Sequence, residues 1–395
     1  MKENDKKKLG LYLHIPFCAK KCAYCDFYSF KCPNASLAKN YISALRIQLE
    51  DYRKPLSDYE VDTVFIGGGT PSTLDTSLLQ SLIDTAGRNL DIKKDAEFTI
   101  EVNPGTVTKK ALKKYRKMGI NRLSIGLQSI HEDELRELGR IHTLEDFTDC
   151  YEWAREVGFD NISVDLMYGI PRQTKGSFAK TLDFISKINP EHVSIYALKV
   201  EEGTEFYNRR DALDLPDEDT EYEMYTSAID FLGSRGYEHY EISNFARPGY
   251  RCRHNMKYWN CDEYLGLGPG AHSYLDERRF AVARDIVKYI DGIEIVNNNI
   301  NIYSEDEQLT VYERMSEYIM LRMRLSDGVT AAKFNRRFGF DFEEKYGARL
   351  REYIDGGFVE FNGGTYSFTP KGMYVSNYIL SSVLDFDGEN IPKSF

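Results

Sequence analysis

Between Leu11 and Leu198, short runs of branched and aromatic residues alternate six times with stretches of helical period. No other feature of the chain constrains its fold as much. Repeated strand–helix units build a parallel sheet, because each crossover to a parallel neighbour has room for a helix. Strands are predicted at Leu11–Ile15, Thr63–Ile66, Glu97–Val102, Arg122–Leu127, Asn161–Leu166 and His192–Ala197. Helices are predicted over Leu37–Asp51, Thr76–Arg88, Lys109–Met118, Thr143–Val157 and Ser177–Ile188. Six units fall short of a closed eightfold barrel, so the expected α/β architecture is an incomplete (β/α)6 barrel.

The alternation within the strands says what such a barrel holds. Phe98, Ile100 and Val102 share one face of their strand, and Thr99 and Glu101 share the other. Leu123, Ile125 and Leu127 oppose Ser124, Gly126 and Gln128, and Ile162, Val164 and Leu166 oppose Ser163 and Asp165. A closed barrel fills its interior with branched apolar side chains. Here the inner face is small and polar, which suits a polar cofactor or substrate.

Cys18, Cys22 and Cys25 stand in the run LHIPFCAKKCAYCDFYS, directly after the first strand. The chain has seven cysteines and begins MKENDKKKLG, which is no secretory signal, so a disulfide framework is not expected. Closely spaced thiolates point to zinc or to an iron–sulfur cluster. Structural zinc takes four ligands, usually as two pairs, and no second pair follows. Three cysteines on a cubane leave one iron open to an outside ligand. The cysteines, Gly67-Gly68-Gly69-Thr70-Pro71, Glu101, Gln128 and Asp165 all fall at the C-terminal ends of strands, where barrel enzymes place their sites. The triple glycine lets backbone approach a ligand closely, but it lacks the lysine of a P-loop.

Composition narrows the partners. A net charge of −11 argues against a nucleic-acid surface, and no apolar run approaches membrane-spanning length. Free thiols without an export signal place the protein in the cytoplasm. The basic stretch from Lys109 to Lys117 is expected to be a solvated helix face.

The segments LYLHIPFCAKKCAYCDFYS, FIGGGTPS, EVNPGT, RLSIGLQS, GRIHT, DLMYGIPRQT and VSIYALKVEEGT together resemble the radical S-adenosylmethionine (SAM) superfamily, specifically the oxygen-independent coproporphyrinogen III oxidase family. The resemblance implies a [4Fe–4S] cluster on Cys18, Cys22 and Cys25. It implies SAM contacts from Tyr12, Tyr24, Gly68, Gly69, Thr70, Glu101, Gln128, Arg140, Asp165, Lys199 and His272. Two features separate the chain from the oxidases of that family. Phe27 stands where they carry a further cysteine, and only eleven residues precede Tyr12. In their place His254-Asn255-Met256-Lys257-Tyr258-Trp259 matches the HNxxYW motif of the family's haem chaperone branch.

That branch implies haem bound by His254, with Tyr258 and Trp259 as flat amphipathic surfaces for a porphyrin, and transfer to a respiratory or other acceptor haem protein. The alternative is anaerobic oxidative decarboxylation of coproporphyrinogen III by a 5′-deoxyadenosyl radical, which needs a low-potential electron donor. Three parts are expected along the chain. Residues 1–235 form the partial barrel, and 236–284 an extended segment with the HNxxYW motif and a Gly-rich stretch facing SAM. Residues 285–395 form a helical, winged-helix-like domain, with helices Leu309–Arg324 and Ala331–Arg337 before a hairpin.

Overall fold

The computed structural model describes residues 6–294 and 301–384. The chain divides into two compact units, Met1–Met224 with Glu263–Glu307, and Tyr225–Asp262 with Gln308–Phe395. The segment 236–284 is therefore shared between them.

The first unit is built on six parallel strands: β1 (Lys7–Ile15), β2 (Tyr59–Gly68), β3 (Ile92–Val102), β4 (Arg122–Gln128), β5 (Ile162–Tyr168) and β6 (His192–Ala197). Each pairs with its neighbour in sequence order. The crossovers carry α1 (Ala35–Asp51), α2 (Thr76–Asn89), α3 (Lys109–Lys117), α4 (Glu132–Glu137), α5 (Leu144–Glu156) and α6 (Lys175–Ile188). This is the incomplete (β/α)6 barrel that the alternation predicts, with α4 as a short addition.

Local chemistry sets the helix starts. Asn34, Asp75 and Thr108 each accept a backbone N–H of the first turn. Thr143 and Thr174 close capping boxes with Asp146 and Ser177. Each such cap stabilises its helix by about 1 kcal/mol. Leu79, Leu82, Leu112, Phe147, Phe178 and Leu182 of these helices are buried, as are Ile100, Leu123, Ile125 and Val164 of the strands. The register sets Glu101 beside Ser124, Gly126 beside Asp165, and Asp165 beside Ser194, so polar residues line the opposite face. One detail departs from strict alternation. The pairing of β4 shifts between Gly126 and Gln128, and Gln128 takes a φ of 70°.

Four further strands extend the sheet on the other side of β1. Tyr264–Leu267 pairs with β1 in parallel, then His272–Leu275, Arg278–Val282 and Tyr303–Gln308 follow. The sequence expectation of helix from Asp285 holds for Ile286–Glu294 and fails at Tyr303–Gln308. Residues 295–300 lie outside the described residues.

In the second unit a three-stranded sheet, ordered Val329–Thr330, Thr365–Phe368, Val359–Asn362, accompanies the helices Val311–Met323, Ala331–Phe338, Ala348–Asp355 and Ser376–Val383. The hairpin turns at Gly363-Gly364, both with positive φ, as its two-residue loop requires. Phe334, Phe342, Tyr346 and Tyr366 form its aromatic core. No helix among the described residues is long and apolar enough to cross a membrane.

Candidate functional site

The cysteine loop is held by backbone. Ala23 N–H donates to Leu138 O at 3.0 Å, and Ala23 O accepts from Phe206 N–H at 2.9 Å. Around that staple Leu138, Met167, Ile170, Leu198 and Phe206 form an apolar cluster against which Tyr24 packs. The Gly-rich turn after β2 closes on the other end of the loop. Gly69 N–H donates to Ile15 O at 2.8 Å and Thr70 N–H to Phe17 O at 2.7 Å. A Cβ on Gly69 would stand 2.8 Å from Phe17 O and 3.0 Å from Cys18 Sγ, so only glycine lets the strands approach there. Gly68 has a φ of 113°, and a Cβ on it would stand 2.5 Å from the His14 ring.

Each of the three thiols has a polar neighbour. Thr70 Oγ1 lies 3.6 Å from Cys18 Sγ, Ser29 Oγ 3.7 Å from Cys25 Sγ, and Arg140 Nη1 3.5 Å from Cys22 Sγ. Burial pushes the Cys18 and Cys25 thiols up, against the pull of these hydroxyls. No three His, Cys, Asp or Glu side chains among the described residues close on a single metal ion.

Arg140 is the hub. Its Nη2 donates to Asn103 Oδ1 and to Gly126 O, both at 2.7 Å, while Asn103 Nδ2 donates to Thr70 Oγ1 at 2.8 Å. A Cβ on Gly126 would come within 2.8 Å of Nη2, so that glycine makes room for the guanidinium. Burial works against the charge of Arg140, but Tyr24, Cys22 and Asp165 together outweigh it. Its Nε is buried and has no hydrogen-bond partner among the described residues. Cys22, Thr70, Asn103, Arg140, Ile141 and His142 line a cleft beside the cysteine loop.

Two carboxylates face the interior. Glu101 Oε2 accepts Gly68 N–H at 3.0 Å, and burial with nearby Asp165 pushes its carboxyl up to about 8. Asp165 accepts from Ser124 Oγ at 2.9 Å and Ser163 Oγ at 3.3 Å, and burial raises it against those hydroxyls. Tyr12 hydrogen-bonds His14 Nδ1 at 3.0 Å, and His14 Nε2 lies 2.9 Å from Tyr28 O. The fold thus gathers Tyr12, Tyr24, Gly68, Gly69, Thr70, Glu101, Arg140 and Asp165 around the three cysteines, with Gln128 buried at the end of β4. Lys199 is exposed after β6, and His272 is exposed on its strand, 3.8 Å from Glu305. Neither shares a hydrogen bond with the Arg140 network among the described residues. Asn103, His14 and Ser29 were not singled out by sequence. Asn103 stands in a strand-end Asn-Pro that signals a turn, and its bridging role is visible only in three dimensions.

The HNxxYW motif lies in the second unit on a helix, Arg253–Trp259, which corrects the expected extended conformation. Helical geometry puts His254 and Tyr258 one turn apart, and His254 Nε2 meets Tyr258 OH at 2.8 Å with the rings perpendicular. His254 is 1% exposed. Met256 and Trp259 pack instead on Tyr240, Ala246 and Leu325. Arg324 lies 4.5 Å over the Trp259 ring and pairs with buried Glu241 at 3.3 Å.

Comparison with known proteins places this geometry. Residues 12–185 match the Radical SAM superfamily and residues 309–375 the HemN C-terminal domain. The haem chaperone HemW of Bacillus subtilis is 33% identical over 94% of this chain and 98% of its own. The haem chaperone HemW of Escherichia coli is 33% identical over 95% of this chain and 98% of its own. The solved structure of coproporphyrinogen III oxidase (HemN) from Escherichia coli, a radical SAM enzyme, matches with a TM-score of 0.85. That match covers 97% of this chain and 91% of the other at 24% identity, a likeness of fold.

Proposed function

The chain belongs to the HemW haem chaperone family on a radical SAM scaffold, and from that premise we propose that it binds haem and delivers it to an acceptor haem protein. The observation that carries this reading is His254, set with Tyr258 and Trp259 on one short helix in a chain of HemW type. An imidazole is a common axial ligand of haem iron. In this reading His254 ligates the iron, Tyr258 and Trp259 flank it on the same helix, and the chain works in the cytoplasm.

Cys18, Cys22 and Cys25 would hold a [4Fe–4S] cluster. The residues present fit that group and SAM. The thiols stand within reach of two hydroxyls and one guanidinium, an electropositive setting for an anionic cluster. The unpartnered Arg140 Nε offers a further donor toward a carboxylate. When bound, the cluster supplies one iron open to the amino and carboxylate groups of SAM and a route for an electron from a low-potential donor. Gly68, Gly69 and Thr70 bring backbone close to the methionyl end, and Glu101 accepts from ribose hydroxyls. Tyr12, Tyr24, Gln128 and Asp165 would enclose the rest, and exposed Lys199 and His272 would have to turn inward to meet it. Phe27, in place of a fourth cysteine, is 69% exposed.

Two measurements test the reading. Anaerobically purified protein is expected to hold about four iron and four sulfide per chain, and Cys18→Ala, Cys22→Ala or Cys25→Ala to lose most of both. Stoichiometric zinc without sulfide would contradict the cluster. Anaerobic haem titration followed at the Soret band is expected to saturate, with His254→Ala weakening binding or altering the spectrum. Absence of specific haem binding, together with product formation from coproporphyrinogen III, would replace the chaperone reading with the oxidase one.

A further inference from the structure

An iron atom needs a bare imidazole nitrogen with open space along its lone pair, and a porphyrin needs several ångströms of clearance around it. His254 offers neither in this structure. It is 1% exposed, and its Nε2 lies 2.8 Å from Tyr258 OH. The two rings stand perpendicular, with centroids 5.2 Å apart. Whichever group supplies the proton, Nε2 is engaged by the phenol oxygen.

The helix carrying both residues is fixed from its other side. Met256 and Trp259 pack on the Tyr240, Ala246 and Leu325 cluster. Arg337 Nη1 donates to Asn260 O at 3.2 Å and Nη2 to Cys261 O at 2.9 Å, so the last turn is held too. A backbone anchored in this way leaves side-chain rotation as the cheapest route to exposing the imidazole. Tyr258 itself meets Trp259 edge-on, with centroids 6.5 Å apart, which gives the phenol a defined seat.

The geometry points to Tyr258 as a latch on His254 rather than as a surface on which porphyrin rests. Its hydroxyl masks Nε2 in the haem-free protein, and haem capture breaks that hydrogen bond as the imidazole turns outward to the iron. This inference rests on the proposal that His254 is the haem ligand. A latch scales apparent affinity by the fraction of molecules that are open. Tyr258→Phe keeps the ring and deletes the hydroxyl, so it should bind haem roughly three- to tenfold more tightly and faster, the range set by one net hydrogen bond.

The test is stopped-flow and equilibrium haem binding, followed at the Soret band, for the wild type, Tyr258→Phe, His254→Ala and the double variant. Tighter binding by Tyr258→Phe that vanishes in the double variant supports the latch. Unchanged affinity would favour a stacking surface, and weaker binding would make the hydroxyl a support for ligation through Nδ1; either overturns it. Haem binding indifferent to His254→Ala would remove the ligand assignment itself, a distinguishable result. Nitrogen-15 NMR of histidine-labelled wild type gives a check that no variant can spoil. On adding zinc protoporphyrin, a diamagnetic probe, the Nε2 resonance of His254 should move from a hydrogen-bonded to a metal-bound position. A shift at Nδ1 with Nε2 unmoved would overturn the latch.

Discussion

Arg140→Met is expected to destabilise the protein by about 2–4 kcal/mol and to weaken SAM binding about 100-fold or more. Methionine keeps most of the volume and deletes every donor. Asn103 Oδ1 and Gly126 O would then lose the Nη2 that each meets at 2.7 Å, and a buried acceptor left without its donor costs about 1–3 kcal/mol. Asn103 also links Arg140 to Thr70, whose hydroxyl points at Cys18, so the loss reaches the cysteine loop through one residue. Urea unfolding of the SAM-free protein reads the first effect, and calorimetric titration of cluster-loaded protein with SAM reads the second. Arg140→Lys separates charge from shape. A lysine restores a point charge without the planar fork, so it should recover stability in part and leave SAM binding at least about tenfold weak. Full recovery by lysine would mean that charge alone matters at this position.

The barrel was legible because its strands advertise two faces. Thr99 and Glu101 against Ile100 and Val102, or Ser163 and Asp165 against Val164 and Leu166, show both the period and the polar lining. The helix starts were legible for a local reason too, since Asn34, Asp75, Thr108, Thr143 and Thr174 are side chains that cap. The strands beyond β1 carry no such signal. Tyr303–Gln308 reads YSEDEQ and is exposed along most of its length, so no apolar face announces it. Tyr264–Leu267 pairs with a strand some 250 residues earlier, a contact that periodicity does not encode. The Arg253–Trp259 helix is only seven residues long, which leaves its period too few turns to show.

The candidate site divides in the same way. Cysteine spacing, the triple glycine and strand-end carboxylates are compact in sequence and were visible there. The Arg140 hub joins Cys22, Asn103 and Gly126, which come from three separate βα units, and only the folded sheet brings them together. His14 was hidden differently. It lies two residues from Tyr12 on the same strand face, and what makes it consequential is Gly68, whose missing Cβ leaves room for its ring.

Glu101→Gln should remove a pH dependence of stability that the wild type shows. A carboxyl held near 8 in the folded protein and near 4.5 when unfolded takes up a proton on folding between those values. The folded state then binds more protons than the unfolded one, so stability is full below the unfolded value and is lost as pH rises through the folded one. Buried His14, His142 and His239, lowered to about 4, act with the opposite sign, an effect that fades over the pH unit above the ordinary histidine value of 6.5. The histidine background is common to wild type and Glu101→Gln, so the difference between them isolates the carboxyl slope. Over the interval from 6.5 to 8 it amounts to about 2 kcal/mol, at 1.36 kcal/mol per unit. Glutamine still accepts Gly68 N–H and carries no proton to lose, so urea unfolding of the SAM-free variant should lack that carboxyl-dependent loss of stability across the interval. A variant that keeps the wild-type slope would show that Glu101 is already ionised in the folded protein. In the proposed role of Glu101, the same carboxyl gives up its proton to accept two ribose hydroxyls. SAM binding to the wild type near pH 7 should therefore release close to one proton, seen as a dependence of binding heat on buffer, and Glu101→Gln should release none.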